Sequence, residues 1–128
     1  MKEKKLTEKQ KAGFEMIDTV YGEGFSEHLK NKESPILSST IEHLFADIWS
    51  RPGLAIRDRR LLIMGATAAT GKREILKIQA TGALKNEELS PIELREAALH
   101  LAYYVGWEKG TEAAQAFEEA INVVKKEE

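Results

Sequence analysis

The sequence predicts an all-α protein, on three observations. Apolar residues recur at three- and four-residue steps in one segment after another. Val, Ile and Thr never alternate with polar residues over the length of a strand. The three prolines, at 35, 52 and 91, fall where they punctuate helices rather than interrupt them. The expected architecture is a single domain spanning 1–128, a bundle of about six to seven helices, with 1–6 and 125–128 frayed at the ends.

Each element follows from local chemistry. Phe14, Ile17 and Val20 mark a helix over 8–20. Thr7 suits its N-cap, and Gly13 is a mild weakness within it. "VYGEG" breaks it with two glycines, and "FSEHLKNK" reads as a short polar helix capped at Ser26. "ESPILSSTIEHLFADIW" starts after Ser34, with Pro35 in the tolerated first turn. Its Leu37, Ile41, Leu44, Phe45 and Ile48 predict one apolar face. "SRPGL" is a tight loop. A helix over 56–70 follows, ended by Gly71 in a left-handed stop. The lack of bulk from Gly65 to Thr70 predicts a central, buried helix. "KREILKIQATGALKN" forms the next one, ending near Asn86. "SPIE" is a capping box, with Ser90 at the N-cap, Pro91 at N1 and Glu93 at N3. The helix it opens closes at "GWEKG", and a last helix is expected over 111–125.

Composition excludes several functions. With 31% charged residues and a net charge of −2, the 128-residue chain lacks the basic balance that nucleic acid or an anionic membrane would favour. No apolar run of about 18 residues offers a membrane span. The N-terminus, "MKEKKLTEKQ", has no apolar stretch of a secretory signal. Cysteine is absent, which removes disulfides, thiolate metal sites and any thiol nucleophile, and makes a reducing cytoplasm the expected location. No His, Asp or Glu set has metal-ligand spacing, so no metal is expected. There is no Gly-rich phosphate loop and no nucleophile elbow. His28 and His43 read as surface or helix-end residues.

One helix carries chemistry. "ELREAALHLAYYVGW" sets Glu96, His100 and Tyr104 at successive four-residue steps. At roughly 100° per residue, Glu93, Tyr103 and Trp107 share their arc, while Leu94, Ala98, Leu101, Ala102 and Val105 form the opposite side. Three readings of the polar-aromatic face stand side by side: a solvated surface, an interface without chemistry, and a pocket wall. Rings with polar tips favour half-buried places. A carboxylate one turn from an imidazole can hold its tautomer and raise its pKa. A phenol one turn further can donate to a developing oxyanion. A second group is basic: Arg51, Arg57, Arg59 and Arg60, with Asp58 as a possible partner. These are either carboxylate-binding forks or surface ion pairs of little worth.

"FADIWSRPGLAIRDRRLLIMGATAATG", then "GAL", then "SPIELREAALHLAYYVGW", together resemble the carboxymuconolactone decarboxylase family over about residues 44–107. The resemblance implies an all-α, alkyl hydroperoxidase D-like fold, assembly as a trimer or hexamer, and a pocket near a subunit contact. It also implies one of two chemistries. One is cofactor-free decarboxylation of a carboxylated muconolactone; the other is thiol peroxidase work through Cys-x-x-Cys and a following His. The redox cysteines fall here at Lys72 and Ile75, which closes the peroxidase branch. The helix His falls at Gln79, and the acid of the peroxidase relay near Arg60. Trp107 takes a place at a pocket rim, and the Asn-Gly that often follows "GAL" is Asn86-Glu87. Arg51, Arg59, Glu96, His100, Tyr104 and Gly106 carry over. The resemblance thus implies a cofactor-independent decarboxylase acting on a small carboxylated lactone or enol acid. Arg51 or Arg59 would bind the carboxylate, with Gln79 and Trp107 beside the substrate. Glu96 or His100 would carry the proton, and Tyr104 would orient the substrate or steady negative charge. The alternative is an oligomeric ligand-binding or assembly protein that keeps the fold without the chemistry. A helical interaction module outside the family is the third reading.

Overall fold

The computed structural model describes residues 5–128. Every regular element among them is helical, as expected. The described residues form two compact units, divided between Ala55 and Ile56.

In the first unit, α1 spans Glu8–Tyr21. Thr7 caps it reciprocally: its Oγ1 accepts from the Gln10 backbone N–H, and Gln10 Oε1 accepts from the Thr7 N–H. Gly13 is a requirement rather than a weakness, because a Cβ there would lie 2.1 Å from the Ile41 carbonyl oxygen. Gly22 and Gly24 turn the chain at φ 118° and 85°. A 3₁₀ turn at Phe25–Leu29 replaces the expected polar helix, and Gly24, not Ser26, precedes it as cap. Ser26 is buried, and its N–H donates to Asp18 Oδ1 at 2.7 Å, so the side chain of α1 fixes this turn.

Ser34 caps α2, Pro35–Ser39, accepting from the Leu37 N–H at 3.1 Å. The helix then widens into π-helical turns over Thr40–Ile48, closed by the Trp49 N–H on the Leu44 carbonyl. The wider turn explains why the expected apolar face splits. An α-helical advance from Ile41 would bury Leu44, Phe45 and Ile48. Instead the inner line is Ile41, Phe45 and Trp49, with Leu44 and Ile48 outside. Phe45 and Trp49 stack with centroids 5.8 Å apart and planes 6° apart.

The second unit holds four helices. α3 spans Ile56–Thr70 and ends at Gly71, φ 73°. It is not buried all round as its small residues suggested. Only the line Arg60, Met64 and Ala68, at four-residue steps, is buried, and Ala66, Ala69 and Leu62 face outward. α4, Arg73–Lys85, buries Leu76, Gln79, Ala80, Gly82 and Ala83. Ser90 and Glu93 close the expected capping box of α5, Pro91–Val105, at 3.1 and 2.9 Å.

α6 begins at Trp107, four residues before the expected start, and runs to Glu127. A single residue, Gly106 at φ 98°, makes the whole reversal, so no "GWEKG" loop is needed. Where fraying is expected over 125–128, α6 continues to Glu127, which pairs with Lys85 at 3.2 Å. A Cβ on Gly110 would come within 2.5 Å of the Ala102 Cβ, so α5 and α6 cross at close range. The core between them is built of alanines from α5 and α6 around Leu94 and Phe117. Close-packed small residues of this kind hold helices rigidly, which fixes both faces of α5.

Candidate active site

The second unit contains a buried polar corner. Arg60, the least exposed charged residue of α3, lies in line with Met64 and Ala68. A guanidinium cannot stay there unpaired. Glu88, from the loop between α4 and α5, grips it in a fork: Arg60 Nε donates to Oε1 at 2.8 Å and Nη2 to Oε2 at 3.0 Å. Arg60 Nη1 reaches the Gln79 backbone carbonyl at 3.5 Å. Asn86 Nδ2 donates to the same Glu88 Oε2 at 3.0 Å. Arg57 ties the loop from outside, with Nε on the Glu88 carbonyl at 3.0 Å and Nη2 on Glu93 Oε2 at 2.9 Å. The Ser90 N–H and then the Arg57 fork hold the Glu93 carboxyl below its usual value of 4.5.

Gln79 is the odd member of this corner. It is 5% exposed, and its Oε1 is a buried side-chain atom with no hydrogen-bond partner among the described residues. Such an orphan costs about 1–3 kcal/mol. It sits at the position where the family resemblance places a histidine.

The outer face of α5 is the reverse. Glu96 and His100 are exposed, Tyr103 and Tyr104 are 76% and 78% exposed, and Trp107 is 64% exposed at the start of α6. Among the described residues no hydrogen bond joins Glu96 to His100. The imidazole instead lies on the Tyr104 ring, centroids 5.2 Å apart and planes 31° apart. Tyr103 meets Trp107 edge to face at 5.9 Å. Within a single chain this row is an open surface; the shelter that the pocket reading expects is not supplied by α5 itself. The inner side behaves as the angles predict, with Leu94, Ala98 and Ala102 buried.

The arginines separate. Arg57 and Arg60 are consumed by ion pairs inside the second unit. Arg59, on α3, is half-buried, and Arg51 is exposed and belongs to the first unit. The structure brings His100 together with Tyr104, and Arg60 with Gln79. Glu88 is the residue that the sequence reading missed. A clue was present: an arginine four residues before Met64 and eight before Ala68 must be buried with them, and must find a carboxylate. No group of three or more His, Asp or Glu able to hold a metal occurs among the described residues. No helix there is long and apolar enough to cross a membrane.

The model of the carboxymuconolactone decarboxylase family matches residues 35–119, about two-thirds of the chain. The chain belongs to that family. A relative, nitrosuccinic acid decarboxylase of Metarhizium robertsii, is 33% identical over 81 residues. That alignment covers 63% of this chain and 56% of the relative, so the chain spans little more than half the length of the protein it matches.

Proposed function

We propose that this protein is a cofactor-independent decarboxylase acting on a small carboxylated acid. The similarity to nitrosuccinic acid decarboxylase carries this reading, because it sets a named decarboxylase beside this chain. The chemistry needs little apparatus. Breaking the C–C bond to the carboxylate releases CO2 and leaves an electron pair on carbon. A nitro group, or an unsaturated lactone, attached to that carbon takes up the pair without help from a cofactor. The carbon then needs one proton.

His100 or Glu96 supplies that proton, and Tyr104 donates a hydrogen bond to the oxygen on which charge collects. Arg51 or Arg59 holds a carboxylate that is retained, in the bidentate manner guanidinium favours. Gln79 and Trp107 stand beside the substrate. Such a step gains from exclusion of water, and the open tyrosines call for a cover. A trimer or hexamer of this chain, in the cytoplasm, supplies it in this reading.

The test is CO2 release from nitrosuccinic acid and from a carboxymuconolactone by the purified protein. Release is expected with at least one of them, and His100→Ala or Glu96→Gln should cut it sharply while the melting temperature stays put. No release from either acid sinks the reading. The second reading is an assembly protein without chemistry, favoured by the exposure of Tyr103 and Tyr104. It expects the same substitutions to weaken association first, as read by sedimentation.

A further inference from the structure

The outer side of α5 is large and apolar for a surface that meets only water. Ile92 and Leu99 are 71% and 51% exposed, and Tyr103, Tyr104 and Trp107 add three open rings. Rings of this size carry about 150–250 Å² each, so with the two aliphatic side chains the open patch is on the order of 600 Å². The largest patch on a protein that works alone is about 300–600 Å², whereas a stable contact covers about 800 Å² on each partner. Ile92, Glu96, Leu99 and Tyr103 follow one another at steps of four, three and four, the repeat with which one helix seats along another. The glutamate in that seam is unspent. Glu93 and Glu118 each hold an arginine, but among the described residues nothing bonds the Glu96 carboxylate.

We infer that the α5 row is a contact between two copies of this chain, packed antiparallel about a two-fold axis, and that each site combines His100 of one copy with Glu96 of the other. Charge selects the direction. Parallel helices would set the two Glu96 carboxylates face to face. Antiparallel helices, with the axis between Glu96 and Leu99, seat Ile92 on the partner's Tyr103 and Glu96 on the partner's Leu99. The next residue along is the partner's His100, the one basic side chain of the row. A carboxylate and an imidazole that do not bond within one chain thus meet twice in every pair. Within the decarboxylase reading, on which this inference rests, His100 carries the proton, and Glu96 of the partner subunit is a positioning residue that aims the imidazole. The Tyr104 ring backs the same imidazole from its own chain. A hexamer built of three such pairs suits this contact; a trimer alone has no two-fold axis.

The test mixes subunits. Glu96→Gln and His100→Ala, each nearly inactive alone, are unfolded in urea and refolded together. CO2 release is followed from nitrosuccinic acid or the carboxymuconolactone, whichever the wild type decarboxylates. Random pairing makes half of the pairs hybrids, and each hybrid holds one complete site of two, so about a quarter of wild-type activity should return. No recovery means that both residues act within one chain and overturns the inference. A second arm needs no activity. The chain has no cysteine, so Glu96→Cys refolded with His100→Cys under mild oxidation can join only through the new thiols. The mixture should give several times the disulfide-linked pairs of either variant alone; an equal yield overturns the contact. Sedimentation is the third arm. The wild type should run as pairs or as a hexamer, and Leu99→Asp, or Tyr103→Asp if that variant does not fold, should run as smaller species. A wild type that runs as single chains or as trimers, or that associates only with an added basic protein, overturns the inference. Failure of the decarboxylase reading looks different: no CO2 from any acid, with the cross-linking and the two-fold association intact.

Discussion

The corner around Arg60 and the outer row of α5 lie in the same unit and obey opposite rules. In the corner, charges are buried, and nearly every donor and acceptor is used. On the row, rings with polar tips are open and touch one another. The contrast separates a region built to hold the fold from one left open on its surface. A saturated corner can hold the helices but has little left with which to meet a ligand. An unsaturated row contributes little to holding the chain and is free to meet something else.

Breaking the comparison from the corner side should have the largest effect. Glu88→Ala leaves the Arg60 guanidinium buried without a counter-charge, and should cost about 3–5 kcal/mol in urea unfolding. Replacing both partners, Arg60→Met with Glu88→Leu, should recover most of that loss. If the single change costs under about 1 kcal/mol, the corner is not the structural anchor described. From the row side, His100→Ala should shift stability by less than about 0.5 kcal/mol, as exposed substitutions do. It should lower the rate of CO2 release about a hundredfold, the ordinary worth of a positioned proton donor. Stability and rate falling together would erase the distinction between the two regions.

The smallest effect tests their border, at Glu93, which belongs to the α5 cap and touches Arg57. Its carboxyl is held below the usual value in the folded chain, so it stabilises the fold above about pH 4.5, and that contribution is lost as pH falls through its lower folded value. Glu93→Gln keeps the capping geometry but not the charge. The wild type should therefore be slightly the more stable at neutral pH, and the two should converge on acid titration. A gap that stays constant with pH would show that the charge plays no part.

Much of this was legible from residue spacing. Thr7, Ser34 and Ser90 each announced a helix start, because a hydroxyl that satisfies free N–H groups works within a few residues. Gly71 announced a stop for the same local reason. The misreadings have a different origin. The widening at Thr40–Ile48 is invisible to a search with a fixed period, and it decides that Trp49, not Ile48, turns inward. Gly13 looked like a flaw because its reason lies 28 positions away, at the Ile41 carbonyl. Glu88 was passed over because its partner sits two helices earlier. The His100–Tyr104 pairing followed directly from a four-residue step, but whether that face is open was beyond any period.

Glu87 stands at φ 56°, a left-handed conformation in which a side chain costs about 1–2 kcal/mol, and it is the immediate neighbour of the carboxylate that grips Arg60. The loop thus behaves as a sprung latch: the ion pair is the catch, and the turn before it pushes to open. The amides of Glu87, Glu88 and Leu89, which all bond back to the end of α4, should then exchange with deuterated solvent at one shared rate, because no part of the latch can lift while the catch holds.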